Sequence, residues 1–140
     1  MRIANIVRIV LGSVLLVGAV TNGFLALTQP EIYTSFSDTA IIPLYHELWQ
    51  SLVMPYLEFW LRLTVLSELT MGILILSKGV WVKVGLVGSI LFFLFLVPFW
   101  WEGGAIINIV FVVIVALLLR YDYDASVIDL IRRRHPPKSA

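Results

Sequence analysis

Polar residues crowd into a few short intervals of the sequence. Between them the chain is apolar in four long blocks, at about residues 6–27, 53–76, 80–100 and 105–119. A helix of about 20 apolar residues crosses a hydrocarbon core ~30 Å thick. The fourth block is short and needs a thinned bilayer or flanking side chains that reach the headgroups. The pattern predicts an all-α fold, with a four-transmembrane-helix bundle over residues 1–120 and a tail over 121–140. A long outer loop carrying a short interfacial helix separates the first two spans.

That loop, residues 28–52, is long for a compact bundle, and connections of this length tend to be ordered or functional. Its second half starts at Pro43, a residue suited to the first helical position. Leu44, Leu48 and Leu52 form one stripe with Tyr45 and Trp49 beside it, while His46, Glu47 and Gln50 face away. Such a helix lies flat at the interface and can act as a lid on the bundle's mouth. Pro55 breaks the chain before the second span. In the first span, Gly12, Ala19 and Gly23 recur near one helical face, where a neighbouring helix can approach closely. In the third span, Gly85, Gly88 and Ser89 give a small-residue face. Phe92, Phe93, Phe95 and Phe99 fill much of the rest, and Pro98 ends or kinks the helix. In the tail, Asp124 is placed to cap a helix carrying Val127, Ile128 and Ile131 toward the membrane and Arg132–Arg134 at its end. The last six residues, with Pro136 and Pro137, read as disordered.

Charge sets the expected orientation. Nine of the ten Lys and Arg residues (Arg2, Arg8, Lys78, Lys83, Arg120, Arg132, Arg133, Arg134 and Lys138) flank the blocks on one side. Arg2 and Arg8 are read as preceding the first span. The first loop carries Glu31, Asp38 and Glu47 without a cation, and the turn after the third span carries only Glu102. Cationic segments stay inside, so both termini are expected in the cytoplasm, with the spans in the plasma membrane. Trp49, Tyr56, Trp60, Trp100 and Trp101 mark the outer interface, and Trp81, Tyr121 and Tyr123 the inner one.

Composition narrows the chemistry. The formal net charge of +1 decides little, and 140 residues leave room for one bundle and no second domain. The cationic cluster Arg132–Arg134 lies beside a span, where anionic lipid is a nearer partner than nucleic acid. With no cysteine, iron–sulfur ligation, thiol relay and cysteine zinc sites are excluded. Haem between spans normally takes a His ligand, and His46 and His135 lie outside the blocks. No intrinsic metal or cofactor is therefore expected. The first block is too long, and lacks a small-x-small cleavage site before Gln29, to be a signal peptide.

Against this apolar background the second span stands out, with Glu58, Arg62, Thr64, Ser67, Glu68 and Gly72. Glu58 and Arg62 form an i, i+4 pair in the favourable order, expected in a poorly solvated setting. Glu68 lies on the order of 20 Å below Pro55, deeper than its side chain can reach back to water. A charge there costs at least about 2.5–3.5 kcal/mol, so Glu68 must be neutral, paired or hydrated. Arg62 points away from it around the helix, and Asn108 on the fourth span is the expected partner on depth alone. Asn22, too polar for open lipid, is expected to face the bundle. The competing reading of Glu58, Arg62 and Glu68 is that they only lock helices together.

Two stretches carry a resemblance. Arg8-Ile-Val-Leu-Gly12 through Asn22-Gly-Phe24 resembles the opening helix of the DoxX-like family of four-span prokaryotic membrane proteins. Glu68-Leu-Thr-Met-Gly72-Ile-Leu-Ile-Leu, with Gly79 following, resembles that family's central Glu-x-x-x-Gly signature. Some members are small subunits of thiosulfate–quinone oxidoreductase, and others associate with oxidative-stress enzymes. The resemblance implies an accessory or ligand-binding subunit of a membrane-associated, quinone-linked redox system. A quinone or other lipophilic ligand would then sit near Glu68, with the bilayer, protein subunits or further copies of the chain as partners. The alternative is a small proton-coupled transporter working as an oligomer, in which Glu68 titrates and Arg62 handles an anion.

Overall fold

Helix α1, Ile3–Thr28, turns Arg8, Leu11, Gly12, Leu15 and Ala19 inward. That is the three- and four-residue spacing of one helical side. The computed structural model describes residues 3–99 and 104–134, without the side chains of Phe99, Arg133 and Arg134. The expectations for Arg2, Trp100, Trp101, Glu102 and the last six residues lie outside the described residues.

The inward face of α1 packs along α3, Leu57–Leu76, more extensively than any other pair of elements. Their crossing is close because two glycines meet there. A Cβ on Gly12 would stand 2.8 Å from the Leu76 side chain, and one on Gly72 would stand 3.1 Å from the Gly12 carbonyl oxygen. Of the small residues read as a packing face, Gly12 and Ala19 lie buried on it. A short turn follows α3 through Gly79, whose φ of 63° is cheap only for glycine. Helices α4, Val80–Leu96, and α5, Gly104–Leu118, complete the bundle in sequence order, α4 against α3 and α5 against α4. Leu11, Leu15, Met71, Ile75, Val82, Leu86, Phe93, Val115 and Leu118 close its core, with Tyr123 of the tail. No strand occurs among the described residues.

The loop before α3 is helical almost throughout. A 3-10 helix, Pro30–Thr39, precedes α2, Pro43–Leu48. One π turn, Trp49–Val53, and one 3-10 turn, Met54–Tyr56, then lead into α3. Pro55 was expected to break the chain, yet the helical path runs on over 34 residues, Pro43–Leu76. A proline ring has no N–H and crowds the preceding turn. The chain meets this by widening to π winding before Pro55 and tightening to 3-10 at it. The wide turn also rotates the faces. Trp49 and Val53 turn inward, while Leu44, Leu48 and Leu52 stay exposed. His46 and Gln50, expected to face away, fold back on the first half of the loop. The Gln50 amide donates to Ser37 Oγ at 2.8 Å, and His46 Nδ1 lies 3.0 Å from the Ser37 carbonyl.

Of two further expectations, the break at Pro98 is met and the cap of the tail helix changes. The third apolar block is α-helical only to Leu96, and a 3-10 turn, Val97–Phe99, takes over around Pro98. The tail helix α6, Val127–Arg134, is capped by Ser126 and not by Asp124. Ser126 Oγ accepts from the Asp129 N–H at 3.2 Å, and Asp129 Oδ2 accepts from the Ser126 N–H at 3.0 Å. This reciprocal pair is a capping box, which satisfies two backbone donors where Asp124 would satisfy one.

By length and composition, two helical runs among the described residues suffice to cross a membrane, Ile3–Thr28 and Pro43–Leu76. Helices α4 and α5 are apolar but shorter, at 17 and 15 residues. Apart from Glu58, Arg62 and a few hydroxyl residues, the outward positions of the bundle are apolar on every long helix: Val10, Val14 and Val17 on α1, Leu63, Leu66 and Ile73 on α3, Val84, Val87 and Leu91 on α4, and Ile106, Val110 and Val113 on α5.

Candidate functional site

Between the aromatic loop and the core of the bundle lies a cavity of about 230 Å³. Its polar groups are few and convergent: Asn22 from α1, Thr64 and Glu68 from α3, Asn108 from α5 and Tyr33 from the loop. The remaining wall is aromatic and aliphatic, with Phe36 and Trp49 from the loop side, Trp60 from α3, and Phe92 and Phe95 from α4. Apolar walls with a small set of placed polar groups are the ordinary form of a small-molecule site.

Glu68 is 6% exposed and is held by a directed chain of hydrogen bonds. Asn22 Nδ2 donates to Glu68 Oε2 at 2.8 Å, and the Tyr33 hydroxyl donates to Asn22 Oδ1 at 3.1 Å. Burial, and after it the Glu68 carboxylate, push the Tyr33 phenol above its ordinary range, so it remains a donor in this chain. Gly18 sets the back wall. A Cβ there would stand 2.8 Å from Glu68 Oε1, so glycine is what lets the carboxylate lie flat against α1. Asn108, 8% exposed, lines the same cavity. The hydrogen bond of Glu68 runs to Asn22 and not to Asn108, because α1 crosses α3 closely whereas α5 packs on α4. Among the described residues no hydrogen bond engages the Asn108 amide, which leaves it for a ligand.

The loop is fastened over this cavity. Trp49 Nε1 donates to the Tyr33 carbonyl at 3.2 Å, Phe36 packs on both rings, and the Ile41 N–H donates to the Pro98 carbonyl at 3.2 Å. Tyr33, Phe36 and Trp49 were not among the expected site residues. Their signal in the sequence was faint: a Pro30 start followed by aromatics three residues apart, at Tyr33 and Phe36.

Glu58 and Arg62 pair as their spacing predicts, but outside the bundle. Their side chains are 78% and 75% exposed, and they line a separate groove on the outer face of α1 and α3. The poorly solvated setting expected for this pair is not met. Their positions ten and six residues before Glu68 along α3 carry them around the helix, away from Asn22.

A second polar centre occupies the other end of the α1–α3 seam, around a residue read from the sequence as preceding the first span. Arg8 lies within α1 and is 0% exposed. Its guanidinium donates to the Ala125 carbonyl at 2.6 Å, the Ser77 carbonyl at 3.0 Å and the Ile75 carbonyl at 3.4 Å. The Tyr123 ring lies beneath it, 4.6 Å from ring centroid to Cζ. Two of these acceptors close the C-terminal turn of α3, where a cation also meets the negative end of the helix dipole. The tail is tied to the same place: the Gly79 N–H donates to the Tyr123 carbonyl at 2.7 Å, and Lys83 pairs with Asp122 at 2.8 Å. Burial leads in raising the Tyr123 phenol, which donates to the Leu118 carbonyl at 2.9 Å. The flag for this centre was available, since Arg8 sits between Ile6-Val7 and Ile9-Val10-Leu11, inside the apolar block.

Compared with protein-family models, with curated proteins and with solved structures, the chain matches none.

Proposed function

We propose that the chain is a four-span membrane protein with both termini cytoplasmic, whose loop-capped cavity binds a lipophilic small molecule beside Glu68. The observation that carries the reading is the pairing of this cavity with an outer surface apolar on all four long helices. Such outward faces suit lipid, and an ionisable group lining an interior cavity at that depth is where ligand chemistry is concentrated. The two shorter helices span with help from flanking residues or local thinning. All cations of the Arg8 end (Arg8, Lys78, Lys83 and Arg120) lie near the tail, which supports the expected orientation.

The ligand class follows from the walls. Stacked aromatic side chains favour a flat ring, and the free Asn108 amide together with Glu68 favours polar groups on it. A quinone-type ring compound fits this donor set. Asn108 and Tyr33 can donate to a carbonyl oxygen, and Glu68 can accept from a hydroxyl. The stretches that resemble the DoxX-like family, Arg8 to Asn22 and Glu68 to Gly72, pack against each other along one seam. This supports an accessory, ligand-binding role in a membrane redox system over a transport role, since Arg62 faces a different concavity from Glu68.

The test is purification of the full chain in mild detergent, with mass spectrometry of the lipophilic compounds that accompany it. A ring compound retained by the native chain and lost from Asn108→Leu and Glu68→Gln, both still folded, is the expected result. Equal retention by all three chains would remove the cavity from the proposal. Labelling checks the topology: Ser35→Cys should react from outside and Tyr121→Cys from inside. Ser35 is exposed, whereas Ser37 is buried under His46 and Gln50.

A further inference from the structure

The groove that holds Glu58 and Arg62 has a volume of about 750 Å³ and lies on the outside of the bundle, between α1 and α3. Its apolar walls come from Gly23, Ala26, Val65 and Leu66. The two charged side chains stand at its edge, and among the described residues each is the other's ion-pair partner. We propose that this groove binds an aminophospholipid, one acyl chain along the apolar wall and the zwitterionic headgroup on the Glu58–Arg62 pair. The inference rests on the membrane-spanning reading of α3.

Depth and order of charge argue for this occupant. At about 1.5 Å per residue, α3 alone is roughly as long as the hydrocarbon core is thick, so Glu58 lies at the boundary and Arg62 about 6 Å deeper. In a phospholipid of the same leaflet, the phosphate lies nearer the hydrocarbon and the ammonium nearer water. Arg62 therefore meets the phosphate and Glu58 the ammonium. The opposite order of residues would meet like charge at both positions. Their mutual bond does not exhaust them, since a guanidinium has five N–H donors and a carboxylate about four acceptor sites. An ethanolamine headgroup donates N–H to Glu58. A choline headgroup has the charge without the donor, and a glycerol headgroup leaves Glu58 facing a net anion.

The groove can be filled without disturbing the helix crossing. A Cβ at Gly23 would stand 3.8 Å from Val65 Cγ2, an ordinary contact, so a larger side chain there grows into the groove.

The experiment is native mass spectrometry of the full chain, delipidated and then offered phosphatidylethanolamine or phosphatidylglycerol with identical acyl chains. Retention of phosphatidylethanolamine should exceed that of phosphatidylglycerol by about tenfold, the factor equivalent to one net charge-assisted hydrogen bond. The double variant Glu58→Arg/Arg62→Glu keeps the pair but inverts its order, and should abolish the preference. Gly23→Leu should lower retention of both lipids while the melting temperature holds. Equal retention of the two lipids, or a preference unmoved by the inversion, overturns the proposal. So does a Gly23→Leu chain that passes from dimer to monomer with lipid retention unchanged, which would assign the groove to a second copy. Release of the native chain from membranes by alkaline carbonate would instead overturn the spanning reading on which the inference stands.

Discussion

The seam between α1 and α3 carries a buried ionisable side chain at each end, and the two are held in opposite ways. Arg8 is 0% exposed, with three backbone carbonyls and an aromatic ring around it. Glu68 has one side-chain partner, Asn22, and opens onto a cavity walled by aromatic side chains. A group whose hydrogen bonds run to fixed backbone contributes to stability. A group left with spare acceptor capacity next to a void is suited to a ligand. The two ends thus differ along a single helix pair: one is closed by backbone, and the other keeps acceptor capacity beside a cavity.

Arg8→Ala offers the hardest test of this contrast. It strands carbonyls of the α3 C-terminus and the tail and leaves a large hole, for an expected loss of about 3–5 kcal/mol in detergent unfolding. Arg8→Lys should recover little, because a single ammonium cannot span acceptors arranged for a planar fork. A loss under about 1 kcal/mol, the scale of a surface site, would mean the cage is not structural. Next in size is Gly18→Ala, whose new Cβ displaces the Glu68 carboxylate from Asn22. It should cost about 1–3 kcal/mol as an overpacking change and also lower ligand retention. An unchanged ligand with lowered stability would blur the division between the two ends.

Tyr33→Phe removes the outermost link of the Glu68 chain, with an expected cost of about 1 kcal/mol. Its larger effect should be on ligand retention, measured beside Glu68→Gln. If Tyr33→Phe behaves as the native chain in both assays, the loop caps the cavity without taking part in it. The smallest effect concerns the tail. Asp129 is held below the ordinary carboxylate range, first by the Ser126 hydroxyl and then by the Ser126 N–H. Its contribution to α6 is therefore complete above about pH 3.9, the unfolded value, and is lost as pH falls through the lower folded-state value. Hydrogen exchange of α6 between about pH 5 and pH 2 should show protection falling in that window, and Asp129→Asn should remove the pH dependence.

Much of the helical architecture was legible because apolar blocks and glycine spacing report directly on long helices. The ends of α1, α3 and α5 fall within a few residues of the apolar blocks, and Glu68 and Asn22 stood out as polar groups in apolar surroundings. The loop was less legible. Its 3-10 and π turns depend on how Pro55 is accommodated, and the inward turn of Trp49 follows from that local winding and not from any stripe in the sequence. Partnership was least legible of all. Depth alone suggested Asn108 for Glu68, whereas the close Gly12–Gly72 crossing brings α1, and with it Asn22, to the carboxylate. Glu58 and Arg62 were paired correctly by spacing, but spacing along one helix cannot say which side of the bundle that face meets.

The enclosure of Arg8 also imposes an order on biosynthesis. Its acceptors come from residues 75, 77 and 125, so the arginine near the start of the chain finds its last partner 117 residues later. Until the end of α3 is made, the guanidinium has no acceptor from that set. Ile75 and Ser77 supply two of the three acceptors once α3 is made, and the cage closes only when Ala125 arrives. A nascent chain stalled before Ala125 would leave the Arg8 guanidinium with two of its three carbonyl acceptors.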